Sequence, residues 1–412
     1  MTDICRMRNW KTSVRTVASI GLLGYLAAFY FLGPSAQKTL FYLAVALPGC
    51  LLLPDLARVL QQDKQGAVKS FLFVVSYYAL SALWSEKGEL LDGVKRSASL
   101  VCLMLAISSG AKLQPNAANW TRRFMLAIGA VAITYYCTAL GMNIASSSID
   151  LPQLLAQRHS LREIGGIGDS NPINGAIYLG VVILAAWWVF PHCPPIEKLG
   201  LLALIACGTS LMFLTQSRGP FLSLGATLSL IVITRRHRDD LVAAAFVLAA
   251  GVAAVVLLEL LPTITGRITA PNYRLDIWSH AIGLIKENPY FGQGLGTSAE
   301  IPVVGHGRDF VVGHSHSSIL ETFRVGGITG GLAFLVMIFC NLRTTVQASD
   351  ERRFFLFWLL FGTLCLSTNG RLPIIRPSVE WFAFWIPMFL ASLTHATTTT
   401  NATLGRSHAN RR

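Results

Sequence analysis

Charge is what this chain has least of. Only 13% of its 412 residues are Asp, Glu, Lys or Arg, roughly half the share of a soluble domain. Acidic residues are the scarcer kind, 21 against 34 Lys and Arg. That shortage argues against a soluble globular enzyme. The 53% hydrophobic share points the same way, because apolar runs of roughly 20 residues, each able to cross a hydrocarbon core, recur from end to end. The eight cysteines include no Cys-x-x-Cys pair, which argues against a disulfide framework and a thiolate metal site. No internal repeat is evident, which weakens a secondary-transporter reading. A net charge of +13 would suggest a nucleic-acid partner on a soluble protein. On a polytopic membrane protein it marks the cytoplasmic loops instead, so no nucleic acid is expected.

What is there reads as an all-α, polytopic membrane helix bundle. About twelve spans are predicted, at 15–32, 39–56, 70–84, 94–110, 124–140, 173–190, 198–214, 220–234, 241–261, 318–340, 354–368 and 379–395. With the N-terminus in the cytoplasm, well over half of the Lys and Arg fall on inner segments. Arg235-Arg236-His237-Arg238 is the sharpest of these anchors. Both termini then lie in the cytoplasm. Arg6, Arg8, Lys11 and Arg15 precede the first apolar run as in a signal peptide. No small-residue cleavage site follows, so the run is read as a retained span. Residues 1–395 are expected to form the transmembrane domain, and 396–412, polar and low in complexity, a disordered cytoplasmic tail.

The remaining basic residues gather on outer segments. Arg158 and Arg162 lie in the loop 141–172, and Arg218 lies in a short turn. Arg267, Arg274, Lys286 and Arg308 lie in the loop 262–317, and Arg371 and Arg376 in the last turn. An outer face that breaks the charge bias this often suggests a bound anion, with solvated loop charges as the plainer alternative. The loop 262–317 is long enough to suggest a function. Within it, 274–289 is predicted as an amphipathic helix with Trp278, Ile282 and Ile285 on one face, stopped by Pro289. Gly292-x-Gly294 then makes a flexible turn.

Three motifs carry the candidate chemistry. In Gln216-Ser217-Arg218-Gly219-Pro220, a helix starting at Gly219 or Pro220 turns its free amides outward beside Arg218. That pairing suits a phosphate or diphosphate, and the alternative is an arginine snorkelling to headgroups. Arg274 stands one helical turn from Trp278, so a guanidinium and an interfacial indole share a face. Arg267 is a second cation on that loop. In His314-Ser315-His316-Ser317, His316 is the candidate general base at a membrane surface, with His314 assisting or binding phosphate. The two histidines have no acidic or cysteine partner at convincing ligand spacing, so no metal is expected. Glu321, about one turn below His316, is placed to orient it and to pair with Arg324. Gly326, Gly327 and Gly330 then allow close helix contact.

Taken together these residues resemble the bacterial O-antigen ligases, within the wider superfamily of O-antigen ligases and polymerases. His316-Ser317, nine residues and Gly327-Ile328-Thr329-Gly330 resemble the ligases' His-(Asn/Ser)-x9-Gly-x-x-Gly element. Arg274-x-x-x-Trp278 with Pro289 and Gly292-x-Gly294 resembles the superfamily's large outer loop, and Ser217-Arg218-Gly219 its arginine turn. The resemblance implies a metal-independent glycosyltransferase without a cofactor, acting at the periplasmic face of the bacterial inner membrane. Its donor would be polysaccharide on undecaprenyl diphosphate and its acceptor a lipid A–core sugar hydroxyl. His316 and His314 would be catalytic, and Arg218, Arg274 and Arg267 would hold the diphosphate. Glu321, Gln216 and Trp278 would support them, and Arg158, Arg162, Arg371 and Arg376 would receive the anionic core. An O-antigen polymerase using the same donor, and an anionic-lipid transporter, stay open as alternatives.

Overall fold

A backbone in hydrocarbon must satisfy its own polar groups, and a helix is the local way to do so. The computed structural model is accordingly almost all helix. It describes residues 2–63, 65–86, 88–113, 117–146, 157–257, 273–303, 310–346 and 350–393. Arg267, Arg308 and the expected tail 396–412 lie outside these residues.

Helix α1 spans Thr2–Phe31. Helices α2 (Pro34–Phe41) and α3 (Leu47–Leu51) join through a π-helical turn, Tyr42–Ala46, and α4 is Leu56–Gln62. The chain bends by 52° between Pro34–Leu51 and Leu53–Gln62, where Pro54 removes a helical donor. Then come α5 (Ala67–Ser81), α6 (Leu90–Leu113), α7 (Ala117–Ala145), the short α8 (Leu161–Gly165), α9 (Pro172–Val189), α10 (Pro195–Leu214), α11 (Arg218–Arg235) and α12 (Arg238–Leu257). In the long loop, α13 is Arg274–Glu287, and β1 (Ile301–Val303) pairs antiparallel with β2 (Phe310–Val312). Helix α14 is Ser318–Val346, α15 is Asp350–Asn369, and α16 (Ile386–Leu393) follows a second π-helical turn, Trp381–Trp385.

Helix α9 is apolar on every side and is the most enclosed of the long helices, as such a helix should be. Around it lies an aromatic core. The Phe382 ring stands 4.8 Å from Phe29, 5.1 Å from Tyr178 and 5.1 Å from Trp358.

Among the described residues, six helices are long and apolar enough to cross a membrane: Trp10–Phe31, Ala67–Trp84, Asn119–Ala145, Pro172–His192, Pro195–Leu214 and Ser318–Arg343. The bent pair Pro34–Gln62 makes up to seven. Helices occupy the other expected stretches too; α6, α11, α15 and α16 are too short or too polar to qualify, and the expected span 241–261 runs beyond the described residues.

Three features depart from expectation. The two short strands and α8 were not anticipated. The buried face of α13 is Ile277 and Ala281, packed on Ala299, Ile301 and Val303. It is not the face of Trp278, Ile282 and Ile285, because the strands lie beside the helix and capture a stripe one residue round. Trp278 is half-buried at the edge of this cluster and Ile282 is exposed.

The third departure is a break in α14 at Gly327 (φ 62°, ψ −166°). The break frees backbone groups, and the loop after α13 takes them up. Gln293 N donates to Arg324 O at 2.9 Å and Gly294 N to Val325 O at 3.0 Å. Ile328 N donates to Pro289 O at 2.7 Å and Thr329 N to Tyr290 O at 3.1 Å. Two backbones this close leave no room for side chains. A Cβ on Gly292 would lie 2.4 Å from Gly327 N, and one on Gly327 2.4 Å from the Tyr290 carbonyl carbon. Helix α5 closes the joint from behind. Tyr77 Oη donates to Gly326 O at 2.6 Å, and Tyr78 Oη donates to Thr322 O at 2.8 Å.

Candidate active site

Four elements bring the site together at one end of the bundle: the starts of α11, α13 and α14, and the end of α15. Gly219 lies against Thr368, where a Cβ would stand 2.8 Å from its hydroxyl. Arg274 donates to Asn369 Oδ1 at 3.3 Å. Ser318 Oγ donates to Arg371 O. These contacts tie three loops distant in sequence to the last turn of one helix.

The histidine turn is held by its backbone. Ser317 starts α14, accepting from Leu320 N at 3.4 Å through its hydroxyl and from Glu321 N at 2.9 Å through its carbonyl. Glu321 Oε1 accepts from Ser315 N at 2.8 Å. His316 sits at φ 53°, a left-handed conformation that costs a non-glycine residue about 1–2 kcal/mol and is concentrated at functional sites.

Glu321 and Arg324 are 3% and 2% exposed, so each would be costly alone. They pair through two bonds, Nε to Oε1 at 3.1 Å and Nη2 to Oε2 at 2.8 Å. Arg324 also donates to Gln293 Oε1 at 2.7 Å and to Thr297 O at 3.1 Å. Glu321 thus reaches His316 through the Ser315 amide, and Arg324 carries that anchorage into the loop bonded to the α14 break.

The two imidazoles face one another with ring centroids 4.1 Å apart. His314 Nδ1 lies 3.1 Å from the His316 amide, and its Nε2 lies 3.1 Å from Arg371 Nε. A neutral ring can accept at one nitrogen only, so one of these is a contact rather than a bond; a doubly protonated ring would meet a donor on both sides. Burial, then His316 and Arg371, push His314 down to about 4. Burial first, then the charges of Arg274 and Arg371, lowers His316 as well, against a smaller upward pull from Glu321. Both rings are therefore neutral at neutral pH, the state a general base needs.

The cations stand round this neutral pair. Burial and the nearby charge of Arg218 lower the Arg274 pKa. A guanidinium stays protonated regardless, so the shift reflects burial first and the repulsion of the neighbouring Arg218 second. Arg218 is exposed and has no hydrogen-bond or ion-pair partner among the described residues. Its turn is braced. Gln216, at φ 46°, donates to Gln157 O at 2.7 Å. Helix α11 begins at Arg218 itself, and Ser217 makes no side-chain bond to its first amides.

The weaker candidates separate. Arg371 is exposed beside His314. Arg158 donates to Thr215 O at 3.1 Å and to Ser217 Oγ at 3.3 Å, so it braces the Arg218 turn. Arg376 lies 3.1 Å from Asp92, and Arg162 is exposed on α8. Trp278 does not project as a free anchor, and its Nε1 is buried without a partner among the described residues. No group of three histidine, cysteine or carboxylate side chains suited to a metal occurs among the described residues.

Comparison with known proteins bears on the same segment. The family model described as O-antigen ligase matches residues 201–335. The chain is also 27% identical over 403 residues to an O-antigen ligase of Pseudomonas aeruginosa strain PAO1, covering 94% of each chain. Residues 201–335 are thus similar to the O-antigen ligase family, and the full chain is similar to one of its named members. The similarity, together with the apolar helices, supports a membrane protein with a transferase role in O-antigen and lipopolysaccharide assembly. The segment matched by the family model runs from α10 into α14, so it holds Arg218, Arg274, His314 and His316 but leaves Arg371 outside.

Sequence reasoning missed four contributors: Asn369, Gln293, Tyr77 and Tyr78. A polar Asn369 closing an apolar run ahead of Gly370-Arg371 was the one visible signal. The other three act only through the loop–helix joint, which no local pattern announces.

Proposed function

We propose that the chain transfers O-antigen polysaccharide from undecaprenyl diphosphate to a sugar hydroxyl of lipid A–core, without a metal. The observation that carries this reading is a neutral His316 ringed by Arg274 and Arg371, with Arg218 beside Arg274. Arginines gathered about one point suit a diphosphate, and a neutral imidazole suits an acceptor hydroxyl. In the step, the acceptor oxygen attacks the anomeric carbon while the bond to the diphosphate oxygen breaks. His316 takes the hydroxyl proton, and Arg218 and Arg274 hold the charge that grows on the leaving undecaprenyl diphosphate. Attack opposite the leaving group inverts the anomeric centre. Arg371, exposed beside His314, receives the anionic core, and Glu321 positions the histidine turn. The reading places about twelve spans in the inner membrane, both termini in the cytoplasm and the site in the periplasm, as the loop charges suggest.

A polymerase would use the same donor but extend the chain on its lipid carrier. Purified protein given lipid-linked donor and lipid A–core separates the two. Core-linked polysaccharide is the expected product. Polymer growth on the carrier with no transfer to the core would contradict the proposal.

A further inference from the structure

Helices α11, α14 and α15 connect the site to the opposite end of the bundle, where a cavity opens. Its volume is about 1030 Å³. Its mouth carries Arg122, Arg235 and Arg353 with His192 and His237, and no carboxylate among the described residues lines it. Two described acidic residues stand close by, and one of them offsets part of the Arg235 charge. Asp240 faces Arg235 at 3.6 Å, and Asp239 bonds Lys198 at 2.6 Å and lies 3.9 Å from His237. Arg235 is fixed in place, 4.5 Å above the Trp188 ring.

Behind the cationic mouth the walls are apolar. They run along α15 from Arg353 past Leu356 and Leu360 to Thr363. At 1.5 Å per residue that depth is about 15 Å, half of a hydrocarbon core and so the thickness of one leaflet. A solvated surface patch needs no such shaft, and a free phosphate would leave it empty. We propose that this cavity is a binding site for one anionic phospholipid, with its phosphodiester among Arg122, Arg235 and Arg353 and an acyl chain along the α15 wall. Basic pockets between membrane helices suit this headgroup chemistry. The site lies away from the histidines, so it does not depend on the proposed reaction.

Thermal unfolding of the purified full chain in neutral detergent, titrated with phosphatidylglycerol or phosphatidylcholine, tests this, because a ligand of the folded state raises the midpoint according to its affinity. Selective stabilisation by phosphatidylglycerol is expected. Arg122→Gln with Arg353→Gln should weaken it by about tenfold or more. Thr363→Trp, which fills the shaft and keeps the charges, should weaken it comparably. In the unaltered chain the selectivity should shrink as salt is raised, a readout that holds even if a variant fails to fold. Equal response to the two lipids would overturn the proposal. So would full phosphatidylglycerol binding by Thr363→Trp with displacement by inorganic phosphate, the mark of a free-anion site.

Discussion

His316 is asked to be neutral in a ring of cations, and its surroundings decide where it titrates. Because burial, Arg274 and Arg371 lower its pKa, the acidic limb of kcat/KM should fall below the ordinary histidine value of about 6.5. Arg371→Gln removes one of the depressing charges, so the limb should move to higher pH in a rate profile. An unmoved limb would remove Arg371 from the electrostatics of the base. The same shifts bear on stability. Both histidines enter the folded state with depressed pKa values, His314 at about 4, so the unfolded chain binds protons that the native one refuses. Their contribution is present above about 6.5 and is lost as pH falls toward the folded values. Thermal unfolding should show a stability loss on acidification through that window, and His314→Gln should lessen it. At the diphosphate, Arg218→Ala should cost about 100-fold or more in transfer rate, as removal of a preorganised charge-stabilising donor does.

At the scale of elements, the account rests on the joint between the α14 break and the loop 289–294. Gly292→Ala and Gly327→Ala each force a Cβ into backbone at 2.4 Å, at positive φ. Each should lower the thermal midpoint and the activity together, with a cost of about 1–3 kcal/mol or more. Glu321→Ala strands a buried Arg324 and frees the Ser315 amide, a loss of about 3–5 kcal/mol by analogy with other broken buried pairs. This joint was half legible in the sequence. Gly292-x-Gly294 signalled a flexible turn and Gly326-Gly327 close helix contact, but not that the two meet. The α13 helix was also legible from its Pro289 stop, whereas its buried face was not, because that face depends on two strands set by long-range pairing. Arg218, Arg274 and His316 stood out as polar chemistry on an apolar background. Asn369 and Gln293 were lost because a single polar residue beside a helix end carries no pattern.

At the scale of the molecule, hydropathy located every long helix, since an apolar run has few alternatives in lipid. It did not settle the number of crossings, because α6, α11 and α15 carry polar or charged residues within or beside their apolar runs. Cysteine labelling from each side of the membrane checks the proposed topology. A cysteine placed in 235–238 should react from the cytoplasm and one in 310–312 from the periplasm, and the reverse would invert the site. The whole account turns on one proton transfer inside one protein. Its most direct measurement is the single-turnover transfer rate to lipid A–core for the wild type and His316→Ala, at saturating donor, with donor binding measured alongside. The account predicts a loss of about 100-fold to 10,000-fold in rate, the share of a general base, with donor binding little changed. A variant that transfers at the wild-type rate would contradict it.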